Sequence, residues 1–109
     1  MNPSSDIFHA IVKEMNEGVI FLDAEDRIAY LNPAAERIRR VSAEKFIGRP
    51  IHDLHPARVH ASVDELLNCL KEGKAASRHR VIQAQGRYFD NTYTAVRGAA
   101  GDYRGTLLV

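Results

Sequence analysis

Apolar residues recur along the chain at two different periods, and the switches between them divide it into elements. Behind Asp6, a good N-cap, Ile7, Phe8, Ile11, Val12 and Met15 lie on one side of a 3.6-residue repeat, which predicts an amphipathic helix ending near Gly18. Val19-Ile20-Phe21-Leu22 and Arg27-Ile28-Ala29-Tyr30-Leu31 are rich in β-forming side chains. The polar break Ala24-Glu25-Asp26 between them makes the two runs read as an antiparallel hairpin. Asn32 is suited to an N-cap and Pro33 to the first helical position, where a missing N–H costs nothing, so a short helix is expected over 34–40. Ser42 caps a further turn over 43–47 that Gly48 can close in the left-handed conformation. Residues 49–58 carry Pro50 and Pro56 without a sustained period and read as a loop containing a turn of helix.

From Val59 the pattern is clearer. Val63, Leu66, Leu67 and Leu70 follow at helical spacing up to Gly73, giving a helix with a single stripe to pack on a sheet. Strands are expected over 75–84, 87–96 and 103–109, separated by Gln85-Gly86 and by Gly98-Ala99-Ala100-Gly101-Asp102. The order predicts an α+β fold: a five-stranded antiparallel sheet with helices on one face and an N-terminal amphipathic helix. Residues 1–5 read as a tail and 6–109 as one domain.

Composition narrows the function classes. At 109 residues with 45% apolar content, the chain can bury a self-supporting core without a metal or disulfide staple. Fifteen basic against 14 acidic residues leave a net charge of +1, too little to drive phosphate-dominated nucleic-acid binding. Four cations between Lys71 and Arg80 have no interleaved aromatics and read as a solvated edge, with an acidic partner as the alternative. One cysteine, Cys69, excludes an internal disulfide and fits a reducing compartment. No apolar run approaches a membrane span and the first residues carry no export signal, so the chain reads as cytoplasmic and away from membranes. Gly-x-Ser-x-Gly, phosphate-loop and dinucleotide motifs are absent, and pairs such as Asp23 with Asp26 or Asp64 with Glu65 read as solvated. Neither a catalytic group nor a metal site is expected.

Several segments together are more informative than any one of them. They are Gly18-Val19-Ile20-Phe21-Leu22-Asp23, Arg27 to Leu31, Asn32-Pro33-Ala34-Ala35, Gly48-Arg49, Gly73, and Gly101-Asp102-Tyr103-Arg104-Gly105-Thr106-Leu107. In this order, and spanning Asp6 to Val109, they resemble the PAS sensory family. Leu54-His55-Pro56 and Tyr93-Thr94-Ala95-Val96-Arg97 look like those of bacterial PAS modules attached to signalling proteins. The resemblance implies a regulatory module without turnover that binds a small molecule or mediates protein contacts, with a kinase or DNA-binding output domain in the same chain. A sensor histidine kinase and a transcriptional regulator are the two host proteins it suggests. Because the strand pattern runs to Val109 without a polar end, the sequence reads as cut from a longer polypeptide.

Candidate site residues follow from both readings. Along 88–97 the side chains of Phe89, Asn91, Tyr93, Ala95 and Arg97 share one face and those of Tyr88, Asp90, Thr92, Thr94 and Val96 the other. If the first face is inward, Asn91 and Tyr93 set hydrogen-bonding groups among apolar ones, as a small ligand requires, and Arg58 could pair its carboxylate. The alternative is a filled core with Tyr93 satisfied at the rim. His52, His55 and His60 cluster before the long helix, with His79 in the following strand. Haem-binding members of the family commonly present an axial histidine from the middle of that helix, where this chain has Val63, Leu66, Leu67 and Leu70. His55 or His60 would have to serve instead, with Cys69 or Met15 as second ligand. Flavin is not expected, because Cys69 comes too late in the chain and lies among leucines, where a thiol is usually inert packing. The stripe Ile7, Phe8, Ile11, Val12 and Met15 must dock, either on its own sheet or on a second copy as a homodimer contact.

Overall fold

The computed structural model describes residues 3–109, with side chains from Asp6 onward. Helix α1 runs Pro3–Glu14, strand β1 Ile20–Leu22, β2 Ile28–Leu31, α2 Pro33–Arg39, α3 Ala43–Phe46 and α4 His60–Lys71, followed by β3 Ser77–Ala84, β4 Arg87–Arg97 and β5 Tyr103–Leu108. Two 3-10 turns, Ile51–Leu54 and Ala57–Val59, fill the loop before α4. Three residues of the expected tail are therefore helical, and Met1 and Asn2 lie outside the described residues.

All five strands form one antiparallel sheet in the order β2-β1-β5-β4-β3. Ile20, Leu22, Ile28, Leu31, Ile82, Tyr93 and Leu108 point from it toward Ile51, Val59, Val63, Leu66, Leu67 and Leu70, forming a single core. The leucine stripe of α4 is buried as its spacing predicts. At the end of α4, Arg97 Nη2 donates to the Leu70 carbonyl at 2.6 Å, and Lys71 Nζ meets Asp26 Oδ2 at 2.6 Å. Asp26 is thus ion-paired rather than free in solvent, while Asp64 is engaged by His52 at 2.7 Å.

Turn chemistry sets the register. Gln85 and Gly86 both take positive φ, 55° and 70°, which suits the tight turn joining β3 to β4. Gly48 and Gly73 adopt left-handed φ as expected. Gly105 answers a steric demand: a Cβ there would lie 2.0 Å from the Leu22 carbonyl oxygen and 2.7 Å from Phe21 Cζ. Only glycine lets β5 lie this close to β1 while Phe21 crosses above it. The second cap differs from expectation. Ser42 makes no side-chain cap bond, and Glu36 Oε2 instead accepts from the Ala43 N–H at 3.0 Å. The long Glu36 side chain reaches the first free amide of the turn from α2.

Asn32 ties four segments together. It is completely buried, and its Oδ1 accepts from the Val19 and Ala35 amides, both at 2.9 Å. Its Nδ2 donates to the Val12 carbonyl at 2.9 Å and the Glu17 carbonyl at 3.0 Å. The capping role is the one expected; the donor half, which holds the end of α1 against the rest, is additional. Asn32→Asp separates the two, since it keeps the acceptor but sets a carboxylate oxygen against two carbonyls. Urea unfolding is expected to show a loss of about 2–4 kcal/mol, because a buried polar group deprived of its partner costs more than an N-cap. A loss below about 1 kcal/mol would mean that the tether contributes nothing.

Candidate functional site

The inward face of β4 is the one that carries Phe89, Asn91, Tyr93 and Ala95. Tyr93 is fully buried and Asn91 nearly so. Arg97, beyond the register shift at Val96/Arg97, reaches the end of α4, where its guanidinium donates to the Leu70 carbonyl. Across the hairpin, Arg80 pairs with Asn91, Ile82 with Phe89 and Ala84 with Arg87, so Arg80 and Arg87 share the inward face. From above, the last turn of α2 brings Arg39 onto the same surface.

These groups form a directional chain of hydrogen bonds. Arg39 Nη2 donates to Asn91 Oδ1 at 2.9 Å, and Asn91 Nδ2 faces Tyr93 Oη at 3.5 Å. The Tyr93 hydroxyl lies 2.9 Å from Nε2 of the buried His55. With His55 neutral, each group donates to the next and the imidazole ends the chain as acceptor. Burial lowers the His55 pKa to about 4, with Arg39 adding to the effect and a hydrogen bond to the Leu54 backbone opposing it. Burial also raises the Tyr93 phenol, against the hydrogen bond from Asn91 and the charges of Arg39 and Arg80. Arg39 is lowered by burial but stays cationic, as guanidinium groups do.

Two clefts flank this chain. One of about 140 Å³ lies between α2 and the start of β4, lined by Ala35, Ile38, Arg39, Arg87, Phe89 and Asn91 among others. The other, of about 120 Å³, is bounded by Arg39, Val41, Phe46, Leu54, Ala84 and Phe89. Both are smaller than the roughly 300 Å³ at which pockets for drug-sized ligands begin, so they suit a small molecule. A larger depression of about 570 Å³ lies along the outer flank of α4 between Asp64, Asn68, Cys69 and Arg78. It is an open surface groove, remote from the polar chain.

The expected site residues divide on this geometry. His55, Asn91 and Tyr93 meet in one buried cluster. Arg58 stands apart: within the 3-10 turn Ala57–Val59 its side chain is exposed and donates to the Gln83 carbonyl near the β3–β4 turn. His60 Nε2 donates to the carbonyls of His52 at 3.0 Å and His55 at 2.9 Å, and its ring stacks on His52. The Nε2 atoms of both candidate haem ligands, His55 and His60, are engaged in hydrogen bonds within the protein. His79 is held by Asp90 on the opposite face of the sheet. Cys69 lies at the edge of the leucine stripe, in the surface groove with Arg78 Nη1 at 3.5 Å, because on α4 it is rotated about 60° from Leu66 and about 100° from Leu70, away from the sheet. Among the described residues no group of three or more metal-ligating side chains converges.

Arg39 is the residue that the pattern along the chain does not disclose. Its helix is legible, but its partner lies 52 positions away.

Linkage gives the cluster a pH signature. A histidine held at about 4 when folded and near 6.5 when unfolded binds its proton more readily in the unfolded chain. Its contribution to stability is therefore complete above about pH 6.5 and lost as pH falls toward 4, amounting to at most about 3 kcal/mol. Urea unfolding across this window should show a shallower pH dependence in His55→Gln than in the native chain, and equal slopes would refute the assignment.

A family model described as the PAS domain matches residues 8–109. No curated protein matches the chain. Among solved structures, the PAS domain of a protein from Colwellia psychrerythraea superposes with a TM-score of 0.82 at 15% identity, covering 96% of this chain and 92% of that one. The PAS domain of histidine kinase ThkA gives 0.64 at 21% identity, over 83% and 92% of the two chains. VqmA bound to DPO gives 0.73 at 19% identity, over 94% of this chain and 55% of that one. At these identities the likeness is one of fold. Among the described residues no helix is long and apolar enough to cross a membrane. With the family model spanning all but the first residues and the strand order, helix order and Asn32-Pro33 junction laid out as above, the chain belongs to the PAS domain family.

Proposed function

We propose that this PAS domain is the sensory part of a cytoplasmic signalling protein, binding a small molecule between the helices and the inward face of β3 and β4. The observation that carries the reading is the chain from half-buried Arg39 through buried Asn91 and Tyr93 to buried His55, bordered on two sides by clefts. A domain needing only a core has no use for three buried polar side chains and a half-buried guanidinium, because burying such groups costs free energy that apolar residues of similar size would not. One similar structure, VqmA, holds a small molecule, DPO, and another similar domain belongs to a histidine kinase, which supports a sensor kinase or transcriptional regulator as the host of this one. The domain itself is read as regulatory, its occupancy shifting a conformational population rather than driving a reaction.

The relay is read as a homodimer through α1. Only Val12 and Met15 of its stripe are partly buried, whereas Ile7, Phe8 and Ile11 are exposed, Phe8 to 67%. Beside them Val12, Phe21, Tyr30 and Leu107 line an apolar groove on the sheet face opposite α4. A second copy would cover both. Those same side chains favour a second reading, a PAS module that dimerises without a ligand.

Native against denaturing mass spectrometry of the purified chain discriminates. A retained small molecule, lost in Tyr93→Phe, is the expected result; repeated absence would leave the dimerisation module. For the relay, sedimentation should show a dimer that Ile11→Glu converts to monomer, and a monomer at high concentration in both would exclude it.

A further inference from the structure

Two arginines on the inward face of the β3–β4 hairpin, Arg80 and Arg87, and Arg39 from α2 above it have, among the described residues, no carboxylate within 4 Å. Arg39, Arg80 and Arg87 take part in none of the ion pairs, which instead join Lys71 to Asp26, Lys74 to Glu72, Arg104 to Asp102 and two histidines to aspartates. In a chain with 14 acidic residues to 15 basic ones, three unneutralised guanidinium groups on one surface are a local excess, not a reflection of overall charge. Two of them have buried N–H groups without hydrogen-bond partners, Nε of Arg80 and Nη1 of Arg87. Unpaired buried donors on a cation are costly, and an anionic acceptor removes that cost.

Position adds to charge. The guanidinium groups of Arg39 and Arg87 lie 5.2 Å and 5.0 Å from the centre of the Phe89 ring, and each repels the other enough that Arg87 lowers the Arg39 pKa. Both line the cleft of about 140 Å³ with Asn91, and Asp90, the acid at its edge, is held by His79 on the far face of the sheet. On the other side of Arg39 the second cleft is walled by Val41, Phe46, Leu54 and Phe89, with exposed Asp53 at its rim. Arg39 therefore stands between two recesses, each lined by both polar and apolar side chains, with Phe89 common to the two.

We propose that this site takes a small organic carboxylate, its anionic end between Arg39 and Arg87 and its apolar body along Phe89. The proposal rests on the reading of this interior as a ligand site and adds the chemical class of the ligand. Guanidinium forks recognise carboxylates by paired N–H donors, and the apolar wall favours an organic anion over a bare inorganic one. Arg80, on the neighbouring edge strand β3, supplies a third positive charge beside Asn91 for a ligand bearing another acidic group.

Benzoate, its neutral isostere benzamide, and inorganic phosphate, each titrated at constant ionic strength while amide resonances of the 109-residue chain are followed, provide the test. Saturable shifts at Phe89 and Asn91 with benzoate, and at least about tenfold weaker binding of benzamide and phosphate, are expected. Arg87→Gln should weaken benzoate by at least about tenfold, and Arg80→Gln by less. Benzamide binding as tightly as benzoate would overturn the carboxylate while leaving a ligand site, as would phosphate binding equally well. No saturable binding of any probe would also overturn it, and a retained neutral molecule in the native mass spectrum would then show that the sensory reading survives.

Discussion

One amide side chain, that of Asn32, sets the geometry on which the remaining elements build. A buried primary amide can make four hydrogen bonds, and here each goes to a different backbone group: Val19, Ala35, Val12 and Glu17. The residue thereby fixes where β1 begins, where α2 begins and how α1 approaches them. Ala34 and Ala35 beside it are buried too, and a Cβ on Gly18 would lie 3.1 Å from Ala35 Cα, so no larger side chains would let these segments close. Pro33 contributes by lacking an N–H at a helical position where that group would have no partner.

Away from the Asn32 junction, the half of the interior under β3 and β4 is built differently. Where α2 and the turn before α4 face β3 and β4, the side chains are Arg39, His55, Asn91 and Tyr93 instead of leucine and isoleucine. The stripe on α4 and the strands of β1, β2 and β5 supply the apolar burial that holds the domain together. That surplus is what allows a polar network to be retained in the remaining quadrant, since a network of charged and neutral donors adds little net stability of its own.

Local rules made much of the fold legible. The N-cap and proline at Asn32-Pro33, the turn at Gln85-Gly86, the leucine stripe of α4 and the alternation along β4 each depend on neighbours within about a turn of helix or one strand pair, so the residues themselves disclose them. What they do not disclose is which distant surfaces meet. The alternation left two faces for β4, and packing selects the one bearing Asn91 and Tyr93. Arg58 looked suited to pair a ligand, but within its 3-10 turn it donates to the Gln83 carbonyl, whereas Arg39, unremarked in its short helix, enters the cluster. Ser42 makes no side-chain cap bond, and the side chain that meets the start of α3 is Glu36, six positions earlier, which accepts from the Ala43 amide. The stripe on α1 is legible as apolar, yet its burial depends on a surface that the helix itself does not contain.

α2 has a further property that follows from its ends. It is seven residues long, about 10 Å from end to end, and is capped at its start by Asn32 and closed at Arg40 in the left-handed conformation. Through Asn32 its first turn is bonded to the end of α1; through Arg39 its last turn is bonded to Asn91 on the inward face of β4. So short a helix moves as a rigid body, and a shift of the guanidinium at one end is a tilt at the other. Replacing Asn91 by an anion as the partner of Arg39 would change the force on α2 without altering its length, and the Asn32 bonds to Val12 and Glu17 are where that force meets α1. An interior site and the exposed stripe of Ile7, Phe8 and Ile11 are in this way separated by one short helix and two side-chain hydrogen bonds, which is the physical connection that a sensory role for this domain demands.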